Sequence, residues 1–243
     1  MTLRALLFDK DGTLVDFALT WNGAAAAVLA ALAGEDDALH GRLAAVLHFD
    51  RQRAVILPTS PFVGSTVDDI AVEFAPILGA DDLAVLAREL AVMFNAGALA
   101  SVAPIGDPLG LLTSLKAESY LLGIVTNDTE SGARAQAEKL GLDHLFDAII
   151  GYDSGHGRKP DPGQIHAFLD RFDVVPEEAA LIGDTMHDLD AARAAGVVAI
   201  GVASGYLSAE QMAPHADHVI GSIMELPALL DTIPGVQAPM PSR

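Results

Sequence analysis

Apolar positions fall into distinct rhythms along the chain. Leu3–Phe8 is a short apolar run interrupted only at Arg4, with turn chemistry behind it at Asp9-Lys10-Asp11-Gly12-Thr13, which predicts a buried strand. From Phe17 to Leu99 Ala and Leu recur at helical spacing and strand signals are few. This predicts helices over Trp21–Ala33, Asp36–Arg51, Thr66–Leu78 and Asp81–Phe94, with the Pro- and Gly-bearing LPTSPFVGS (Leu57–Ser65) as a loop. Thereafter strand and helix alternate. Asp107-Pro108 reads as an N-cap followed by Pro at the first helical position, opening a helix to Lys116. Strands are predicted at Tyr120–Thr126, Phe146–Gly151, Ala179–Gly183, Val197–Val202 and Asp217–Ile220, with helices at Glu130–Leu140, Pro162–Phe172 and His187–Ala195 between them.

Such alternation builds a mostly parallel sheet covered on both faces. The predicted fold is therefore an α/β core, a Rossmann-like mostly parallel sheet, with a helical cap inserted after its first strand. Residues 1–16 and 101–233 form the core, 17–100 the helical domain, and 234–243 a Pro-rich extended tail.

Composition narrows the partners. The net charge is −19, with no basic footprint to neutralise nucleic-acid phosphates, and an anionic membrane surface would repel the chain. With no Cys, thiolate chemistry and disulfides are excluded. The first apolar run is short and leads straight into acids, unlike a signal peptide. The longest Ala-rich run, GAAAAVLAALAG from Gly23, is too short to span a bilayer. A cytoplasmic protein without nucleic-acid or membrane partners is expected; no pattern in the chain speaks to its oligomeric state. The acidity also means that an anionic substrate needs local positive charge or a metal.

In open parallel sheets ligands bind beyond the carboxyl ends of the strands, so the residues just past each strand matter most. Asp9, Asp11 and Thr13 come after the first; Thr126 and Asn127 come after Tyr120–Val125; the loop GYDSGHGRKPDP, carrying Lys159, comes after Phe146–Ile150; Gly183, Asp184, Thr185 and Asp188 come after Ala179–Ile182. Charged groups are rarely buried without a partner, so acids at the end of a buried strand point to a working site. In an extended chain Asp9 and Asp11 face the same way, and Lys10 the other, which leaves Lys10 outside the site. Gly12 and Thr13 can turn backbone N–H groups toward an anion.

Taken together, DKDGT, IVTND, RKPDP and GDTMHD resemble, in order and spacing, the four motifs of the haloacid dehalogenase superfamily in its phosphatase branch. The inserted helical segment resembles the cap of the phosphoglycolate phosphatase-like subgroup. The resemblance covers nearly the whole chain. It implies a phosphomonoesterase in which Asp9 is the nucleophile, forming an aspartyl-phosphate, and Asp11 is the general acid and then the base for water. It implies that Thr126 bonds a phosphoryl oxygen, with Asn127 as a further donor, and that Lys159 offsets the charge of Asp9 and the phosphoryl group. Clustered carboxylates repel a phosphate dianion, so a divalent cation is expected, Mg²⁺, held by Asp9, the Asp11 carbonyl and Asp184, with Asp188 supporting its waters or pairing with Lys159.

The substrate implied is a small phosphorylated metabolite, best phosphoglycolate. The segment Asp16–Ala100 contains no Lys, unlike phosphonoacetaldehyde hydrolases, which need a cap Lys, and Asp11 is present where true dehalogenases lack the second acid. Its close basic pair, Arg51 and Arg53, suits a substrate carboxylate. A phosphosugar mutase of the β-phosphoglucomutase type would use the same Asp9, and a non-catalytic binding module is the reading from outside the enzymes.

Overall fold

A computed structural model describes residues 3–233. The expected tail, 234–243, lies outside the described residues. The chain divides into two compact units that part after Asp16 and Ala103.

The core unit opens with β1 (Ala5–Phe8), every residue of which is buried. The helical unit comes next, with α1 (Phe17–Ala33), α2 (Asp37–Val46), β2 (Phe49–Asp50), β3 (Val55–Ile56), α3 (Val67–Leu78) and α4 (Leu83–Ser101). The core then resumes with α5 (Pro108–Ala117), β4 (Leu121–Val125), α6 (Glu130–Lys139), β5 (Ala148–Ile150), α7 (Gly163–Phe172) and β6 (Ala179–Gly183). It ends with α8 (Met186–Ala195), β7 (Val198–Val202), α9 (Ala209–Met212), β8 (His218–Ile220) and α10 (Leu226–Leu230).

The core strands form one six-stranded sheet in the order β5-β4-β1-β6-β7-β8, with every pairing parallel. Chain order thus reverses at β1. Its two neighbours arrive from opposite directions of winding, and the crevice above their carboxyl ends is where such sheets take ligands. Register then decides which residues meet there. Phe8 lies level with Ile124 of β4 and Ile182 of β6, so the residues just past β1, β4 and β6 emerge side by side. Ala5 and Leu7 of β1 pack with Val125, Leu181, Phe168 of α7 and Leu189 of α8 in one buried cluster. Leu6 and Phe8, out of phase by one, serve the other face and are also fully buried.

In the helical unit α1 packs on α4 and α3 on α4. Phe62 sits among Phe17, Trp21 and Phe94, with ring centroids 6.3, 5.3 and 4.8 Å away. Thr66 and Asp69 form a capping box at the start of α3, and Gly79 ends it in the left-handed region. Two sequence expectations change here. The helix predicted over Asp36–Arg51 stops at Val46, and a two-residue hairpin, β2–β3, comes after it; strands so short carry no periodicity to read. The helix predicted to end at Phe94 runs on to Ser101, and among the described residues this α4 is long and apolar enough to cross a membrane. In the fold it buries Leu86, Leu90, Phe94 and Ala98 on one stripe, as an amphipathic helix packed against its neighbours does.

The insertion leaves and re-enters the core at one place. Val15 bridges Pro104, and the Ile105 N–H donates to the Leu14 carbonyl at 3.0 Å.

Candidate active site

Asp9 sits one residue past β1, its N–H bonded to the Ile182 carbonyl of β6 at 2.8 Å. Its carboxylate is buried, and Oδ1 accepts from Lys159 Nζ at 2.5 Å. The same ammonium donates to Asp188 Oδ1 at 2.6 Å and to the Val125 carbonyl at 2.8 Å, which occupies its three protons. Lys159 is itself held from behind. Asn127 Oδ1 accepts the Lys159 N–H and Asn127 Nδ2 donates to the Lys159 carbonyl, both at 2.9 Å.

Asp184 ends up beside them because β6 is the neighbour of β1. Thr185, not Asp184, caps α8, pairing reciprocally with Asp188. Asp188 therefore bonds the start of its own helix through Oδ2 and Lys159 through Oδ1. Thr13 Oγ1 donates to Asp184 Oδ1 at 3.2 Å. Gly12 and Gly205 flank this acid so closely that a Cβ on either would lie 2.1 and 1.8 Å from Asp184 Oδ2. Gly12 has φ +80, a conformation that also favours glycine. Ser204, from the loop after β7, donates to the Gly12 carbonyl at 2.7 Å.

One oxygen from each of Asp9, Asp184 and Asp188 can be drawn within 4.8 Å of the others, and all three residues are buried. A lone ammonium faces three buried carboxylates, so the cluster carries excess negative charge when ionised. Burial, with Asp188 and Asp11 adding to it against the pull of Lys159, raises the Asp9 pKa to about 7. Burial and then Asp9 and Asp188 push Asp184 well above the carboxylate range. For Lys159 burial opposes the charge, but Asp188 and Asp9 overcome it and the pKa rises. An all-oxygen donor set with surplus negative charge fits a hard divalent cation such as Mg²⁺.

The remaining sequence-predicted residues divide between the site and the surface. Thr126 is buried at the end of β4, its hydroxyl accepting the Asp128 N–H at 3.1 Å while Gln164 Nε2 holds its carbonyl at 2.9 Å. The Gly12 N–H, expected to face an anion, donates instead to the Val15 carbonyl at 2.8 Å, because the loop closes on itself after β1. Arg51 and Arg53 lie exposed in the turn between β2 and β3, and Arg51 pairs with Asp37.

Strand alternation does not extend to Lys10, contrary to expectation. The strand ends at Phe8, and a tight turn in which the Lys10 carbonyl accepts from Leu14 and Val15 replaces the extended chain. Lys10 is buried, and its Nζ lies 2.6 Å from Asp11 Oδ2, 2.9 Å from Gln136 Oε1 and 3.2 Å from Asp128 Oδ2. Burial opposes this charge, yet Asp11 and Asp128 raise its pKa. Sequence reasoning missed Lys10, Asp128, Gln136, Ser204 and Gly205. A cation between two acids at the end of a buried strand was the available signal for the first; the others are joined to the site only by the fold.

Comparison with known proteins agrees with this geometry. A sequence profile for the haloacid dehalogenase-like hydrolases matches residues 6–202. A phosphoglycolate phosphatase of Rhodospirillum rubrum is 34% identical over 84% of this chain and 80% of its own length. One from Colwellia psychrerythraea is 32% identical, over 84% and 85%. Among solved structures, CbbY from Rhodobacter sphaeroides in complex with phosphate shares the fold, with a TM-score of 0.71 at 23% identity over 93% of this chain and 96% of that one. With four motif segments meeting at the carboxyl ends of β1, β4 and β6, this chain belongs to the haloacid dehalogenase-like hydrolase family.

Proposed function

We propose that the protein is a Mg²⁺-dependent phosphatase that hydrolyses a small phosphomonoester, phosphoglycolate above others, through an aspartyl-phosphate at Asp9. The observation that carries this is the buried Asp9–Lys159–Asp188 ion group, with Asp184 beside it, at the point where the sheet reverses its winding. The relatives named phosphoglycolate phosphatase support the choice of substrate.

In the reaction a carboxylate oxygen of Asp9 attacks phosphorus and the ester P–O bond breaks. Asp11 gives a proton to the departing oxygen. Water then attacks the acyl phosphate, its proton goes to Asp11, and phosphate leaves with Asp9 regenerated. Lys159 holds Asp9 in place and offsets negative charge as it gathers on the phosphoryl group. Thr126 offers a hydroxyl to a phosphoryl oxygen, and Asn127 serves by fixing the Lys159 backbone. Asp9, Asp184, Asp188 and the Asp11 carbonyl would hold Mg²⁺, which supplies charge neutralisation between these carboxylates and the phosphate. The enzyme acts in the cytoplasm on a free metabolite, without nucleic acid or membrane.

Phosphate release from a panel of phosphometabolites, with Mg²⁺ and with chelator, tests this. Metal-dependent release with phosphoglycolate preferred is the expected result. A phosphoenzyme that accumulates from β-glucose 1-phosphate without phosphate release would replace hydrolysis by a mutase cycle. No turnover of any ester by folded, Mg²⁺-supplied protein would leave only a binding module.

A further inference from the structure

Two buried lysines stand at the end of β1, and each bonds one of the two motif acids. Lys159 holds Asp9. Lys10 holds Asp11, and none of the hydrolytic steps uses it. Lys10 is 2% exposed, among the largest side chains buried to that degree. A buried ammonium is costly unless its partners are well placed, and here they are. Asp11, Gln136 and Asp128 each present an oxygen to Nζ, at 2.6, 2.9 and 3.2 Å.

The frame behind Lys10 is itself hydrogen-bonded. Asp128 Oδ1 accepts the Thr129 N–H at 2.7 Å, and its Oδ2 accepts from Gln136 Nε2 at 3.3 Å. Gln136 lies on α6, whose N-terminus Thr129 caps. At the other end the Lys10 carbonyl takes the N–H groups of Leu14 and Val15, which pins its backbone. Asp11 keeps 16% exposure of its side chain, so of these four described residues it is the one most open to solvent. Lys10 is therefore not placed to bind the phosphoryl group itself, since its protons face Asp11 and the α6 frame.

We propose that Lys10, aimed by Asp128 and Gln136, is a positioning residue that fixes the Asp11 carboxylate for proton transfer. This rests on the reading of Asp11 as general acid and base. A misplaced acid hurts most when the leaving oxygen needs its proton. Loss of Lys10 should therefore be selective for poor leaving groups.

The experiment compares kcat/KM for phosphoglycolate, or the best alkyl ester of the panel, with that for p-nitrophenyl phosphate, whose leaving group needs no proton. Lys10→Met keeps the side-chain volume and removes the charge. It should lower the alkyl value about 30-fold and the aryl value less than about threefold. Asp11→Asn, measured alongside, should show the same selectivity more strongly. Equal losses on both esters in Lys10→Met, with Asp11→Asn selective, overturn the role of Lys10 alone. Equal losses in Asp11→Asn overturn the general-acid reading and this inference with it. Should Lys10→Met fail to fold by circular dichroism, Gln136→Leu decides: it loosens the frame, and a selective loss of about 3- to 10-fold supports the inference, while an unselective effect overturns it.

Discussion

At the residue scale the site is an exercise in buried charge. Lys159 is the counter-ion of Asp9 and Asp188, and removing it strands both acids away from water. Lys159→Met should destabilise the protein by about 3–5 kcal/mol near neutral pH and abolish turnover, as urea unfolding and phosphate release will show. The raised pKa of Asp9 has its own signature. With a folded value of about 7 against an ordinary 3.8, the native state binds more protons than the unfolded state between those pH values. Stability of the metal-free protein contributed by this group is therefore full below that window and falls as pH rises through it. Mg²⁺ needs the ionised carboxylates, so its effect runs the other way. The rise in melting temperature on adding Mg²⁺ should be larger at pH 8 than at pH 5; an equal rise at both would contradict the assignment of Asp9 and Asp184 as the groups that hold the metal. Asp9 and Asp184 were legible in the sequence because each comes after an apolar run that must be buried. The partners of Lys10 were not. Gln136 is 126 positions away, and only the packing of α6 brings it near.

At the element scale strand order does the assembling. β1 lies between β4 and β6, so residues far apart in the chain emerge on one edge; the alternation of apolar strands and helices made the mostly parallel sheet readable, but not this order. Alternation could not reveal how loops close over the edge. The loop after β7 is an example: Ser204 ties to Gly12 and Gly205 lies against Asp184, yet SGY carries no motif signal. Gly205→Ala would set a methyl group 1.8 Å from the Asp184 carboxylate, in a backbone conformation open to any residue. The acid or the loop must move. Phosphatase activity at limiting Mg²⁺ should fall at least about tenfold and recover in part at saturating Mg²⁺, as a metal titration of the rate will show. The hairpin β2–β3 escaped sequence reading for a simpler reason, since two residues show no period.

At the scale of the whole molecule the chain is a core interrupted once. The insertion enters after Asp16 and returns before Pro104, where Val15 and Pro104 are already bridged. Joining these ends with a short Gly/Ser linker should leave a folded core. Circular dichroism and a cooperative thermal transition check this; an unfolded product would show that the core depends on residues 17–103.

The whole mechanism turns on Asp9 accepting the phosphoryl group. The most direct measurement is acid quench of the enzyme during turnover of phosphoglycolate with Mg²⁺, followed by peptide mass spectrometry. A phosphorylated peptide is expected in which the modification maps to Asp9, absent with chelator and absent in a folded Asp9→Asn variant. Turnover by Asp9→Asn at a rate near that of the wild type, or a phosphoryl group trapped on another residue, would contradict it.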